Sequence, residues 1–140
     1  MADLKLFINE QISLDGDDRS TLHNVVITDI NYLDHRTMLI PADIETSIFE
    51  FNAQVSSGTF VKNDLKYARI TNHSTVTPIN LSVLSSTEEF NFNLRPYQSF
   101  YLPSSQITGS LTDFNYDYIS SIKLTPSGSD AKVEFFVATN

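Results

Sequence analysis

Cysteine and tryptophan are both absent from this 140-residue chain, and glycine occurs only four times. Without cysteine there is no disulfide, thiolate ligand or thiol nucleophile, a composition that fits folding in a reducing compartment. With so few glycines, no backbone loop is available to cradle phosphate, and neither a G-x-S-x-G elbow nor a glycine-rich nucleotide loop occurs. Basic residues are scarce: 9 stand against 17 acidic ones, for a formal charge of -8 and a pI near 4.6. That balance argues against nucleic acid and anionic lipid as partners. No apolar run approaches the ~20 residues of a membrane-spanning helix. The opening MADLKLFINEQ places Asp3 and Lys5 among its first apolar residues, unlike a signal peptide. These absences predict a soluble protein with no cofactor, no metal, no nucleic-acid partner and no membrane partner.

What is present is alternation. FNFNL sets Phe90, Phe92 and Leu94 on one face and Asn91 and Asn93 on the other, the period of two of a half-buried strand. PINLSVL repeats the pattern with Ile79, Leu81 and Val83 inward, and the polar SSTEE between the two predicts a hairpin. Pro96 lacks a ladder donor and suits the second position of a turn, so RPYQ is expected to reverse the chain into a further strand, SFYLP, with Phe100 and Leu102 inward and Tyr101 outward. DLKLFINEQISL carries apolar residues at even positions and predicts one long strand, or two joined near Glu10. NVVITDINYL and TSIFEF read as strands from their β-branched and aromatic content. YISSIKL and AKVEFFVA flank the turn TPSGSD and predict a final hairpin. KNDLKYARI fits a helix capped by Asn63 about as well as a strand, and is read as strand. The expectation is a single all-β domain over residues 1–140, an antiparallel β-sandwich of jelly-roll or immunoglobulin-like type, with a partly open barrel as the alternative.

Candidate chemistry is thin. His23, His35 and His73 are scattered without the spacing of a helical metal pair. Asp34 and His35 are adjacent, so on a strand they face opposite ways; a surface turn is their expected setting. LDGDDRS has the oxygen density calcium prefers, but beyond Asp18 it lacks the later ligands and closing glutamate of a calcium loop, and it matches an Asx-rich turn. Glu88 and Glu89 fall together at a hairpin tip, not across a cleft. No catalytic residue is indicated, and an enzyme is not expected. LTDFNYDYISS interleaves Phe114, Tyr116 and Tyr118 with Asp113, Asn115 and Asp117, an arrangement that suits a sugar through Tyr116 and Tyr118 and equally suits a loop anchored to the core by its rings. Phe7, Tyr101 and Phe136 put aromatics on strand faces that should meet water, which marks them as partner-contact candidates or as rings covered by local structure. Charge is uneven too, -7 over residues 1–50 against -1 over 51–140, which suits solubility or a basic partner.

The segment from Tyr67 to Gly109, with YISSIKL and AKVEFFVATN, resembles small β-structured virion proteins of tailed, marine-type bacteriophages. In that pattern a strand ending R-I-T-N, here Arg69 to Asn72, precedes a Q-S-F strand, here Gln98 to Phe100, and V-E-x-F-V-A closes the domain, here Val133 to Ala138. The pattern has glycine before Q-S-F where this chain has Tyr97, so a type I turn supported by Pro96 is expected in place of one with positive φ. The resemblance implies a structural virion protein assembled in the host bacterial cytoplasm, foremost a capsid decoration or cement protein. Its implied partners are the major capsid protein or other virion proteins, and it would be multicopy or homo-oligomeric. The alternative is a tail- or fibre-associated module that binds carbohydrate or a receptor.

Overall fold

The computed structural model describes residues 1–52, 60–61, 64–102, 104–107 and 116–140. Among them every regular element is a β-strand, and no helix is long and apolar enough to cross a membrane. Contacts group the chain into two compact units, Met1–Asn31 and Tyr32–Asn140.

The first unit contains β1 (Ala2–Glu10), β2 (Ser13–Leu14), β3 (Asp17–Asp18) and β4 (Thr21–Ile30). β1 and β4 form an antiparallel ribbon from Ala2 opposite Ile30 to Glu10 opposite Thr21, and the pair β2–β3 closes its tip. Asp15 (φ 52°) and Gly16 (φ 87°) link β2 to β3. Two consecutive left-handed residues define the tight hairpin turn whose twist matches its strands, and Asp-Gly is a pair that adopts it readily. The acid-rich LDGDDRS is thus turn chemistry: hydrogen bonds from the Ser20 hydroxyl and amide hold the Asp18 carboxyl below its usual range. At the open end, three residues of β1 (Ala2 to Leu4) lie opposite four of β4 (Ile27 to Ile30), a bulge at which Asp29 takes φ 62°.

The second unit begins with β5 (Tyr32–Ile40), β6 (Thr46–Asn52), β7 (Phe60–Val61), β8 (Leu65–Asn72), β9 (Ile79–Leu84) and β10 (Glu89–Leu94). It continues with β11 (Ser99–Leu102), β12 (Gln106–Ile107), β13 (Asp117–Tyr118), β14 (Ser121–Pro126) and β15 (Ala131–Thr139). One sheet has the order β10-β9-β14-β6-β7, the other β11-β8-β15-β5. All pairings are antiparallel except the short β6–β7 pair. Neither sheet closes on itself, so the barrel alternative is set aside and the architecture is a sandwich. Its core is one cluster to which alternate residues of both sheets contribute, including Ile79, Leu81 and Leu124 from one and Ile70, Val133 and Val137 from the other. Phe49 meets Phe135 edge to face across it at 5.0 Å.

KNDLKYARI resolves as strand from Leu65 onward, while Asn63 lies outside the described residues. NVVITDINYL divides at Asn31 between β4 and β5. RPYQ forms a turn, and because β11 pairs with β8 that turn carries the chain from one sheet to the other. The type of the turn is corrected. Tyr97 takes φ 62°, with the Gln98 amide donating to Arg95 O at 3.1 Å. Proline followed by a positive φ is the type II arrangement, not type I. Asn72 explains why a tyrosine is held there: its carbonyl accepts from the Tyr97 amide and its own amide donates to Gln98 O, each at 2.9 Å.

Candidate functional site

Alternation along β11, β8, β15 and β5 leaves a second face outside the core. Register places Tyr101 opposite Arg69, Arg69 opposite Phe136, and Phe136 opposite His35, one row across all four strands. The adjoining row is Ser99, Thr71, Glu134 and Thr37. The Ser99 and Thr71 hydroxyls bond at 2.8 Å. Two of the aromatics singled out by the sequence, Tyr101 and Phe136, therefore share one surface. Tyr101 is 56% exposed. Phe136 is half-buried, with His35 at 5.6 Å and Tyr67 edge-on at 6.1 Å. Burial raises the pKa of the Tyr67 hydroxyl above its ordinary value.

Glu134 is the electrostatic centre of this face. Its Oε1 accepts from Arg69 Nη2 and lies 3.2 Å from His35 Nε2, and its Oε2 lies 2.7 Å from His73 Nε2. The hydrogen bond to His73, seconded by His35 and Arg69, holds the carboxyl below its ordinary range despite partial burial. The guanidinium already neutralises this carboxylate, and among the described residues no group of histidine and acidic side chains is arranged to hold a metal ion. The arrangement fixes a charge pattern on a flat aromatic surface and presents no activated nucleophile. His35 and His73 looked unrelated in sequence, and Asp34–His35 sits in a strand rather than the expected turn. Asp34 bonds Arg36 at 2.8 Å while His35 faces the other way. The only prior signal was the outward position of Arg69 and Glu134 on their strands.

A second feature is an apolar groove of about 390 Å³ lined by Phe90, Phe92, Phe100, Leu102, Gln106 and Tyr116, together with Val83 and Ile107. It opens where β10 and β11 part into different sheets, with the Phe92 and Phe100 rings 5.0 Å apart. Tyr116 belongs to this groove, 54% exposed. Tyr118 does not line it; it is half-buried in β13 opposite Gln106. Asp113, Phe114 and Asn115 lie outside the described residues. Asp117 secures the neighbouring hairpin tip by accepting from the Ser86 amide at 2.9 Å and from the Ser86 hydroxyl, which lowers its carboxyl pKa.

Phe7 lies in the other unit. Cross-strand pairing puts it opposite Asn24, with Val26 and Leu22 as its diagonal neighbours on the same face. All three are well exposed, Phe7 at 69%. The opposite face carries Ile8, also exposed. The ribbon thus presents apolar side chains on both sides.

Comparison of the chain with protein-family models and with curated proteins finds no match.

Proposed function

We propose that this chain is a structural virion protein of a tailed phage, a capsid decoration or cement protein that binds in many copies across junctions between shell subunits. The observation that carries the binding part of this reading is the Met1–Asn31 ribbon, with Phe7, Leu22 and Val26 exposed on one face and Ile8 on the other. Two-stranded ribbons are marginal in water, so apolar residues on both faces favour a segment that gains its burial from a neighbouring molecule. The virion setting comes from the resemblance of the R-I-T-N, Q-S-F and V-E-x-F-V-A segments. In this reading the protein acts mechanically and catalyses nothing. Separating it from the shell re-exposes apolar surface at roughly 25 cal/mol per Å², so a contact of about 400 Å² supplies about 10 kcal/mol gross. The excess of acid in the first third steers the protein to basic patches on the major capsid protein.

The test is loading onto particles. Phe7→Ser and Tyr101→Ser change exposed rings, so each variant is expected to keep the wild-type circular dichroism spectrum while its co-sedimentation with phage heads weakens roughly ten- to hundred-fold. Undiminished loading of both variants overturns the assignment. Phe136 is a poorer probe, because its ring is packed between His35 and Tyr67.

A carbohydrate-binding tail module is the second reading, favoured by the position of Tyr116 in the aromatic groove beside Gln106. Saturable glycan-array binding that is lost in Tyr116→Ala supports it, and a silent array removes it.

A further inference from the structure

Strand β5 is the outer strand of its sheet. β15 pairs with all nine of its residues without a register shift, and among the described residues no strand pairs with its other edge. Long regular edges are usually blunted by a bulge, an internal proline or charged side chains, above all lysine or charges on the inner face. Tyr32–Ile40 has no bulge, proline or lysine; its inner-face charges, Asp34 and Arg36, are of opposite sign and pair with each other at 2.8 Å, and Tyr32, Leu33 and Leu39 are well exposed.

The residue pattern says what fits that edge. On the face shared with Phe135 and Val137, β5 reads Tyr32, Asp34, Arg36, Met38. When a second copy is laid antiparallel about a two-fold axis at His35, Tyr32 falls opposite Met38 and Asp34 opposite Arg36, and the same pairs recur beyond the axis. Acid meets base twice at the centre, and apolar meets apolar at each end. On the outer face Leu33 falls opposite Thr37. A slip of two residues one way sets the two Arg36 side chains against each other, and a slip the other way does the same to the two Asp34 side chains. One register is therefore self-complementary and both neighbouring registers are repulsive. Arg36 is already held in place, bonded to Asp34 at 2.8 Å and lying 4.8 Å over the Phe135 ring.

We propose that β5 is a homotypic docking edge, where a second copy of this chain pairs antiparallel about a two-fold at His35 and joins two four-stranded sheets into one. This stands independently of any virion role. Sedimentation equilibrium of the full chain tests it. The wild type is expected to form dimers. Asp34→Arg and Arg36→Asp, each alone, bring like charges together and weaken self-association ten-fold or more, and an equimolar mixture of the two variants forms a heterodimer. A wild type that stays monomeric at about 0.1 mM, a dimer indifferent to both substitutions, or a mixture that does not pair would each overturn the proposal. Because both substitutions disturb the Asp34–Arg36 bond, amide exchange on the wild type supplies a second test. Protection that rises with protein concentration within residues 32–40 supports the edge; exchange there that is independent of concentration rejects it.

Discussion

Asn72 is fully buried, yet its side-chain amide donates to Thr77 O at 2.8 Å and to Leu94 O at 3.0 Å, and its Oδ1 accepts from the Ser74 amide at 2.9 Å. One residue thereby pins the turn after β8, the end of β10 and, through its backbone, the turn before β11. Removing the side chain leaves three backbone groups short of partners in a dry site, so Asn72→Ala is expected to cost about 3 kcal/mol in urea unfolding. Asn72→Asp is expected to fare no better, because a carboxylate oxygen then faces carbonyls. Glu134 makes a pH-dependent contribution. Its carboxyl titrates lower in the folded chain than in the unfolded one, where its ordinary value is 4.5. The stability it supplies is therefore fully present above that value and is lost as pH falls through the depressed folded value. Urea titrations from neutrality to pH 3 are expected to show a loss of stability below about pH 4.5 that Glu134→Gln makes shallower; a variant with the wild-type acid slope contradicts this.

Elements differ in how plainly the sequence announces them. Alternation in PINLSVL and FNFNL marks β9 and β10 because each buries one face, and the inward residues are those expected: Ile79, Leu81, Val83 and Leu94 are buried. Phe90 and Phe92 depart, half-buried and exposed respectively in the groove where β11 has crossed to the other sheet, and Ser82, expected outward, is buried. Alternation carries no information about which strands become neighbours. For that reason the pairing of β11 with β8, and the meeting of His35, Arg69, His73 and Glu134 from three strands and a turn, were not legible. The turn conformation at Tyr97 was missed for a different reason. A non-glycine residue is a weak advertisement for positive φ, and the hydrogen bonds from Asn72 that hold it there come from 25 residues upstream. Tyr97 is exposed and held in a left-handed conformation that costs an L-residue about 1 kcal/mol. Tyr97→Gly is therefore expected to leave the fold unchanged and to raise stability by up to about 1 kcal/mol, part of the gain being offset by the added freedom of the unfolded chain. A lowered melting temperature would show that the ring itself carries packing energy.

At the scale of the molecule, the two units differ in kind. Tyr32–Asn140 owns the buried cluster from Ile40 to Val137, while in Met1–Asn31 Leu4, Leu6, Val25 and Ile27 are only half-buried and Ile30 is the one buried apolar residue. Amide exchange is accordingly expected to be faster throughout β1 and β4 than in β14 and β15, by a factor of a hundred or more, and residues 32–140 expressed alone are expected to keep a cooperative thermal transition. Equal protection in the ribbon and the sandwich would mean that the ribbon is stabilised by burial of its own.

Strand β15 lies between β5 and β8, pairing with residues about a hundred and about seventy positions earlier. Until the ribosome has released β15, β5 has no ladder neighbour and β8 has only β11, so the four-stranded sheet cannot be completed. Every nascent copy therefore spends the interval between translation of β5 and of β15 with β5 unzipped. In that interval a crowded polysome offers β5 of each copy the wrong strand from the chain next to it.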